Sequence, residues 1–391
     1  MDSKSFFKLL TAGALSLTAL AGCSNEGGST TDETVSIGLH YELKGDAADY
    51  GNAELRGSQL AIKLANENED YQFTYEGIEY DNGSSENEAI TISQRLISDG
   101  VVGVIGPSTS APSAATYPIL NDAQTIVVSP SATANNQTLV DPDDPNSDVY
   151  EYVYRVCFED SYQGAAMAQF AVDTLGVQKV AVYGSVSSDY AKGLNTAFTE
   201  QLEKLGGQVV ANESYQDGDT DFSAVLTSLA SQEFDALYIP GYYNEAGLII
   251  QQARELGIDC PIIGPDGFDA NTLVELAGAD NLNDVYFTTA YTTVDASEKL
   301  QAFIDAYTEE YGEAPAMFAA LAFDATNLLI EAIEKAGTTD KATVNETIAN
   351  MEFSGVTGDF TFDETHTPNK SVLVVELVDG VQETAVSVTP E

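Results

Sequence analysis

An α/β fold of two doubly wound lobes with parallel central sheets is the architecture this sequence predicts, on three observations. Short apolar runs alternate with helix-compatible stretches from Val35 to Val381, the pattern of parallel sheets wrapped by helices. The runs are too many for one sheet of ordinary size, and 391 residues exceed one ordinary core. An internal echo, Val104-Ile105-Gly106-Pro107 against Ile262-Ile263-Gly264-Pro265, puts the same turn at a strand end in each half. In open α/β sheets ligands sit beyond the carboxyl ends of strands. Two lobes that turn those ends toward each other would hold a ligand in the cleft between them.

The elements follow in chain order. Val35–Leu39 reads as a strand, followed by a loop carrying Tyr50-Gly51. Asn52–Asn66 reads as a helix with Ala53, Gly57, Leu60, Ala61 and Leu64 on one face. Gln72–Tyr80 is a strand closed by the turn residues Asp81-Asn82-Gly83, and Glu86–Ser98 a helix. Val101–Ile105 and Thr125–Val128 are strands flanking a helix over Ala111–Asn121, and the polar, Pro-rich Asn135–Asp148 is an exposed loop. Val153–Cys157 resumes as a strand, and the helix Ser161–Leu175 is closed by Gly176. A second series has strands at Lys179–Tyr183, Gln208–Asn212, Ala236–Ile239, Pro261–Gly264 and Asp284–Thr288. Its helices are Gly193–Leu205, Phe222–Ser231, Asn244–Leu256 and Asn271–Leu276. Three late helices, Glu298–Tyr311, Met317–Ala336 and Lys341–Met351, precede strands at Phe360–Phe362 and Ser371–Val381, with a turn at Asp379-Gly380.

The formal net charge is −47, with only 15 Lys and Arg, which excludes nucleic acid as a partner because phosphates would be repelled. A hydrophobic fraction of 43% is too high for a disordered acidic chain, so the charge coats folded lobes and points to an ion-rich habitat. At the N-terminus Lys4 and Lys8 precede the apolar run Leu9–Leu20 and then Leu20-Ala21-Gly22-Cys23. A positive end, a short apolar run and small residues mark a secretory signal; a membrane span would need about 20 apolar residues. The Leu-Ala-Gly-Cys ending resembles a lipoprotein signal, in which Cys23 would carry lipid. Ser24–Glu33 is then a flexible tether.

The chemistry concentrates in Val101–Thr133. Two strands empty into turns of small hydroxyl residues, Gly106-Pro107-Ser108-Thr109-Ser110 and Ser129-Pro130-Ser131-Ala132-Thr133. Ser and Thr at a helix start satisfy free backbone N–H groups; the remaining N–H groups and the positive dipole end favour an anion. The residues alone leave two uses open, ordinary capping or the grip of a carboxylate without Arg or Lys.

Signals for catalysis are weak. His40 and His366 lack zinc-ligand spacing, and there is no GxSxG, P-loop or GxGxxG. The acidic run Asp141, Asp143, Asp144, Asn146, Asp148 has Asn146 where a calcium loop needs Gly and Tyr152 where it needs Glu; it reads as a solvated loop. Cys157 and Cys260 lie far apart without a CxxC pattern and read as buried free thiols, a disulfide being the alternative in an exported protein.

Taken together, the tethered lipoprotein start, the Tyr50-Gly51 loop, GPSTS, SPSAT, YRVCFEDSYQG, Gly241-Tyr242-Tyr243 and GPDG resemble the branched-chain amino-acid binding proteins of bacterial ABC importers, which have the type I periplasmic-binding-protein fold. The resemblance spans almost all of the chain after the tether. It implies two lobes, 34–158 plus 288–362 and 159–287 plus 363–391, joined by a three-strand hinge with crossings near Phe158, Phe287 and Phe362. It implies that Ser110 and Thr133 hold the ligand α-carboxylate, with backbone contacts from Ser131 and Ala132. Asp266 stands where the family has an acidic residue against the α-ammonium, and is shorter than the usual Glu. Tyr50 (often Trp in the family), Tyr190, Tyr242 and Phe318 match aromatic positions around the ligand. By their own sequence, Phe318 starts a long apolar helix and could equally pack the core, while Tyr183 and Tyr238 lie in strands and belong to the core.

The function expected is an extracytoplasmic, lipid-anchored receptor, monomeric and non-enzymatic, that captures a free amino acid. Leucine, isoleucine or valine is expected, delivered to an ABC permease and its ATPase without a cofactor or metal. The alternatives are a same-fold receptor for another small solute (an amide, urea, an aromatic acid, a short peptide) or a sensory receptor. A hydrolase would need a nucleophile–base pair that the sequence does not offer.

Overall fold

The structure is a computed structural model and describes residues 34–294 and 296–390. The expected signal peptide (1–23), the lipid-bearing Cys23 and the tether (24–33) lie outside the described residues. The chain builds β1 (Thr34–Tyr41), α1 (Ala48–Glu67), β2 (Thr74–Asp81), α2 (Glu86–Asp99), β3 (Gly103–Ile105), α3 (Ser110–Asp122), β4 (Ile126–Ser129) and β5 (Val153–Arg155). These strands form a five-stranded parallel sheet in the order β2-β1-β3-β4-β5. β3, β4 and β5 are buried at every position, as expected of strands covered by helices on both faces.

The second series is α4 (Asp160–Asp173), β6 (Lys179–Ser185), α5 (Asp189–Lys204), β7 (Gln208–Tyr215), α6 (Ser223–Leu229), β8 (Ala236–Tyr238), α7 (Tyr243–Glu255), β9 (Ile262–Gly264), α8 (Asn271–Ala277) and β10 (Val285–Thr289). The chain then forms α9 (Glu298–Tyr311), α10 (Met317–Ala336) and α11 (Lys341–Asn350), followed by a two-stranded ribbon of β11 (Phe353–Gly355) and β12 (Gly358–Phe360). It closes with β13 (Val372–Val378) and β14 (Val381–Val388). The second sheet runs β14-β13-β10-β9-β8-β6-β7. It is parallel except where β13 pairs antiparallel with β10 and β14 with β13.

Both central sheets are thus parallel or parallel-dominated, as expected, with an antiparallel hairpin added at one side of the second. The pairing of β14 with β13 has a local cause: Asp379 (φ 49°) and Gly380 (φ 78°) both take positive φ, the two-residue turn that makes a hairpin. β14 was not expected, because its outward residues are mostly exposed and its alternation is weak. α10 returns to pack on α1, β3 and β4. Gly57 of α1 allows this close approach: a Cβ there would stand 2.1 Å from the Ala319 carbonyl oxygen.

Candidate functional site

Each wall of the cleft is built where a strand stops. The turn after β3 carries Ser108, Thr109 and Ser110; the turn after β4 carries Ser131 and Thr133. From the second sheet, Tyr190 follows β6, Tyr242 follows β8, and Asp266 with Gly267 follows β9. Tyr50 and Phe318 come from the first turns of α1 and α10. These eleven residues line one cavity of about 230 Å³, counting its mouth to solvent.

Eight of the nine residues singled out in the sequence meet there: Tyr50, Ser110, Ser131, Thr133, Tyr190, Tyr242, Asp266 and Phe318. Ala132 is the ninth. It is buried beside the cavity without lining it, and its N–H donates to Ser129 Oγ at 3.2 Å. Its carbonyl faces Cys157 Sγ at 3.5 Å and Arg155 Nη1 at 3.5 Å. Tyr50 and Tyr190 were expected in loops and lie in helices. Gly51 reads as a breaker, yet it serves close packing, since a Cβ there would stand 2.2 Å from the Glu42 carbonyl oxygen. Tyr183 and Tyr238 are buried in the core, as expected.

The helix-start logic needs a correction. Thr109 is the N-cap of α3 but makes no side-chain cap bond. The Thr109 hydroxyl is instead engaged by the buried Glu42, whose side chain accepts from Ser108 N at 2.9 Å, Thr109 N at 3.2 Å and Thr109 Oγ1 at 2.8 Å in the turn before the helix. Part of the anion-binding capacity of this turn is thus filled by the protein itself. Ser110 Oγ accepts from Ala134 N at 3.2 Å, which leaves its own proton to donate. Asp160 N donates to the Thr133 carbonyl at 2.9 Å and ties that turn to α4.

The opposite wall is an acceptor. Asp266 is buried, and its Oδ1 accepts from Tyr190 Oη at 2.5 Å and Gln163 Nε2 at 3.0 Å. Burial pushes its carboxyl up, and those two hydrogen bonds oppose the shift. Gln163 also donates to Asp160 Oδ1 at 2.9 Å and accepts from Thr288 Oγ1 at 2.6 Å. Burial and the charge of Asp266 raise the Asp160 carboxyl well above the usual range. Gly267 N donates to Tyr190 Oη at 3.0 Å, and the Gly267 carbonyl accepts from Tyr50 Oη at 2.6 Å.

Between the walls lie aromatic rings. Tyr190 stacks on Tyr242 with centroids 4.8 Å apart and planes 6° from parallel. Tyr50 sits 4.2 Å from Phe318 and 4.9 Å from Tyr243. Burial holds the hydroxyls of Tyr50, Tyr190 and Tyr242 above their ordinary pKa, so they stay neutral donors. Further bonds cross between the lobes. Asn244 Nδ2 donates to Asp46 O at 2.7 Å, Thr272 N to Asp49 Oδ2 at 3.1 Å, and Met317 N to Asp269 Oδ2 at 3.1 Å. The cleft is closed, with hydroxyl donors on one wall, a carboxyl acceptor on the other and an apolar middle.

Neither histidine reaches this cavity. His40 is fully buried, and burial lowers it to about 3, so it is neutral; His366 stacks on Tyr154 at 4.3 Å. Cys157 is free and buried, Cys260 free and half-buried. Among the described residues no group of His, Cys, Asp and Glu is placed to hold a metal ion, and no helix is long and apolar enough to cross a membrane. Sequence reasoning missed Glu42, Glu54, Asp160, Gln163 and Gly267. Asp160, Gln163 and Gly267 lie within the motifs YRVCFEDSYQG and GPDG, Glu42 continues an apolar strand, and Glu54 had no local signal.

The chain is similar to known proteins along most of its length. The sequence pattern of the family described as "Periplasmic binding protein" matches residues 34–382. The leucine-, isoleucine-, valine-, threonine- and alanine-binding protein of Pseudomonas aeruginosa is 27% identical over 347 residues, 88% of this chain and 90% of that protein. The crystal structure of LivJ, a branched-chain amino acid transporter substrate-binding protein from Streptococcus pneumoniae in complex with isoleucine, is 37% identical. It superposes with a TM-score of 0.85 over 92% of this chain and 100% of that one. The leucine-binding protein LivK of Thermotoga maritima is 34% identical, with a TM-score of 0.83 over 91% of this chain and 99% of that one.

Proposed function

Because the chain belongs to the periplasmic binding protein family, whose members work outside the cytoplasm, we propose that it captures a free branched-chain amino acid in the interlobe cleft and delivers it to an ABC importer. The observation that carries this is the polarity of the cleft: hydroxyl turns on one wall face a buried Asp266 on the other, across a band of aromatic rings. That arrangement suits a zwitterion with an apolar side chain. Ser110 and Thr133 take the carboxylate, Asp266 the ammonium, and Tyr50, Tyr190, Tyr242 and Phe318 cover the side chain. Charge-assisted hydrogen bonds contribute about 1.5–3 kcal/mol each, and burial of a Val, Leu or Ile side chain adds about 1.5–3 kcal/mol. Together these reach the ~8 kcal/mol of micromolar binding.

One methylene is worth only about 0.8 kcal/mol, so leucine, isoleucine and valine should be separated by small factors. The ligand bridges both lobes and so favours the closed form. The lobes in this reading are 34–158 plus 288–362 and 159–287 plus 363–391, with the hinge between them. The protein acts as a monomer, anchored by lipid on Cys23, and the permease and its ATPase are its partners. Calorimetric titration of the purified protein with the common amino acids tests the proposal. Heat from leucine, isoleucine or valine is expected, and none from any aliphatic amino acid would overturn it.

A further inference from the structure

Behind the hydroxyl turns sits a carboxyl group that the grip on the ligand does not use. Glu54 lies four residues after Tyr50 on α1, hence on the same helix face, and is fully buried. Its Oε1 is hydrogen-bonded to Ser131 Oγ. The same Ser131 oxygen is 2.8 Å from the carbonyl of Ser108. A serine hydroxyl has one proton, and two oxygens contend for it here. The peptide carbonyl can only accept. A carboxyl group can also donate if it is protonated, and then both contacts are satisfied at once. Its second oxygen, Oε2, has no hydrogen-bond partner among the described residues. An ionised carboxylate would have only the Ser108 and Ser131 hydroxyls to offset full burial beside Glu42, which is costly.

We propose that Glu54 is a neutral carboxylic acid that donates its proton to Ser131 and thereby fixes the Ser131 hydroxyl on the Ser108 carbonyl, joining the two ligand-facing turns into one rigid wall. Glu54 is a positioning residue, acting through Ser131. The groups that face it are consistent with neutrality. From the end of β1 come Glu42, a like charge, and the Tyr41 ring. From the turns come the Ser108 and Ser131 hydroxyls. Burial favours the neutral form, the two hydroxyls oppose it in part, and Glu42 adds to it. Loss of the proton would return a negative charge to the wall behind the ligand carboxylate. It would also free the Ser131 hydroxyl from Ser108.

The inference rests on the amino-acid reading for its effect on affinity, so the test has one arm without ligand. In that arm, the infrared difference between wild type and Glu54→Gln at pH 7 in D2O should contain a carboxylic-acid carbonyl band from wild type. Absence of that band overturns the proposal. In the second arm, leucine is titrated into wild type, Glu54→Gln and Glu54→Ala from pH 6 to 10, with the fold of each checked by circular dichroism. Glutamine donates an N–H where the acid donated O–H, so its affinity should stay within about threefold of wild type, whereas Glu54→Ala should weaken binding about tenfold. Affinity of both proteins should fall on the alkaline side as the ligand ammonium loses its proton, and that of wild type should fall further than that of Glu54→Gln. Glutamine as weak as alanine, or the same alkaline fall in both proteins, overturns the proposal. Were wild type to give no heat with leucine, the amino-acid reading would fail while the infrared band still decided the state of Glu54.

Discussion

Replacing Asp266 with asparagine changes one atom of the cleft wall and isolates the role assigned to it. Both side-chain hydrogen bonds of Asp266 land on Oδ1, from Tyr190 Oη and Gln163 Nε2. An asparagine keeps its carbonyl oxygen there, because both partners are donors, and so presents its NH2 where Oδ2 stood. A ligand ammonium would then meet a donor in place of a negative acceptor. The lost charge-assisted hydrogen bond is worth about 1.5–3 kcal/mol, which is roughly 10- to 150-fold in Kd. Calorimetry with leucine and with 4-methylpentanoate, its analogue without the amino group, separates this effect from general damage. Leucine should weaken by that factor. The analogue should change little or bind more tightly, since the wild-type carboxyl offers it no partner and the asparagine removes a like charge. An equal loss for both compounds, or no loss for leucine, would refute the assignment of Asp266 to the ammonium.

Three further outcomes follow from packing, titration and net charge. Gly57→Ala places a Cβ 2.1 Å from the Ala319 carbonyl, so α1 and α10 must separate; overpacking costs about 1–3 kcal/mol, to be read as a lower urea midpoint, and an unchanged midpoint would contradict the close approach. His40 is neutral and lowered to about 3 by burial, below its unfolded value near 6.5. Its contribution to stability is therefore present above about pH 6.5 and lost as pH falls toward 3, at up to about 1.4 kcal/mol per pH unit. His40→Leu should flatten that acid slope in urea unfolding at pH 4 to 7, and an unaltered slope would exclude His40 as its source. Asp269, pushed up to about 6 by burial, acts in the opposite sense, its contribution fading as pH rises from about 4 to 6; comparing variant with wild type cancels it. With a net charge of −47, self-repulsion should be screened by salt. The melting temperature should rise with sodium chloride, and indifference would argue against a repulsive coat.

Much of the architecture was legible because local rules and the fold agree. Ser85, Ser188, Ser297 and Asp340 cap α2, α5, α9 and α11 with their side chains, and such residues before an apolar periodic run mark a helix start. Where expectation and structure part, a tertiary contact decided. α5 begins at Asp189, four residues before the expected Gly193, where the Ser188 side chain accepts from Ala191 N. α1 likewise begins at Ala48, and its Gly51 is needed by a backbone it approaches, not by a turn. The antiparallel placement of β13 depends on β10, more than eighty residues away, and no local pattern carries that distance.

The site divides along the same line. Its ligand-facing residues stand at the ends of strands and the starts of helices, where turn motifs are visible in the sequence. The residues that hold them do not line the cavity, and their role has no sequence signature of its own. Glu42 accepts from the first hydroxyl turn, Gln163 joins Asp160 to Asp266, and Glu54 reaches Ser131 from a helix seventy-seven residues earlier. Each is a polar group inside an apolar surround, where the cost of an unmade hydrogen bond fixes its geometry. That cost exists only once the fold has removed water from around the group. A sequence can therefore show which hydroxyls and carboxyls are available to a ligand, while the choice of those reserved for the protein itself is made by burial.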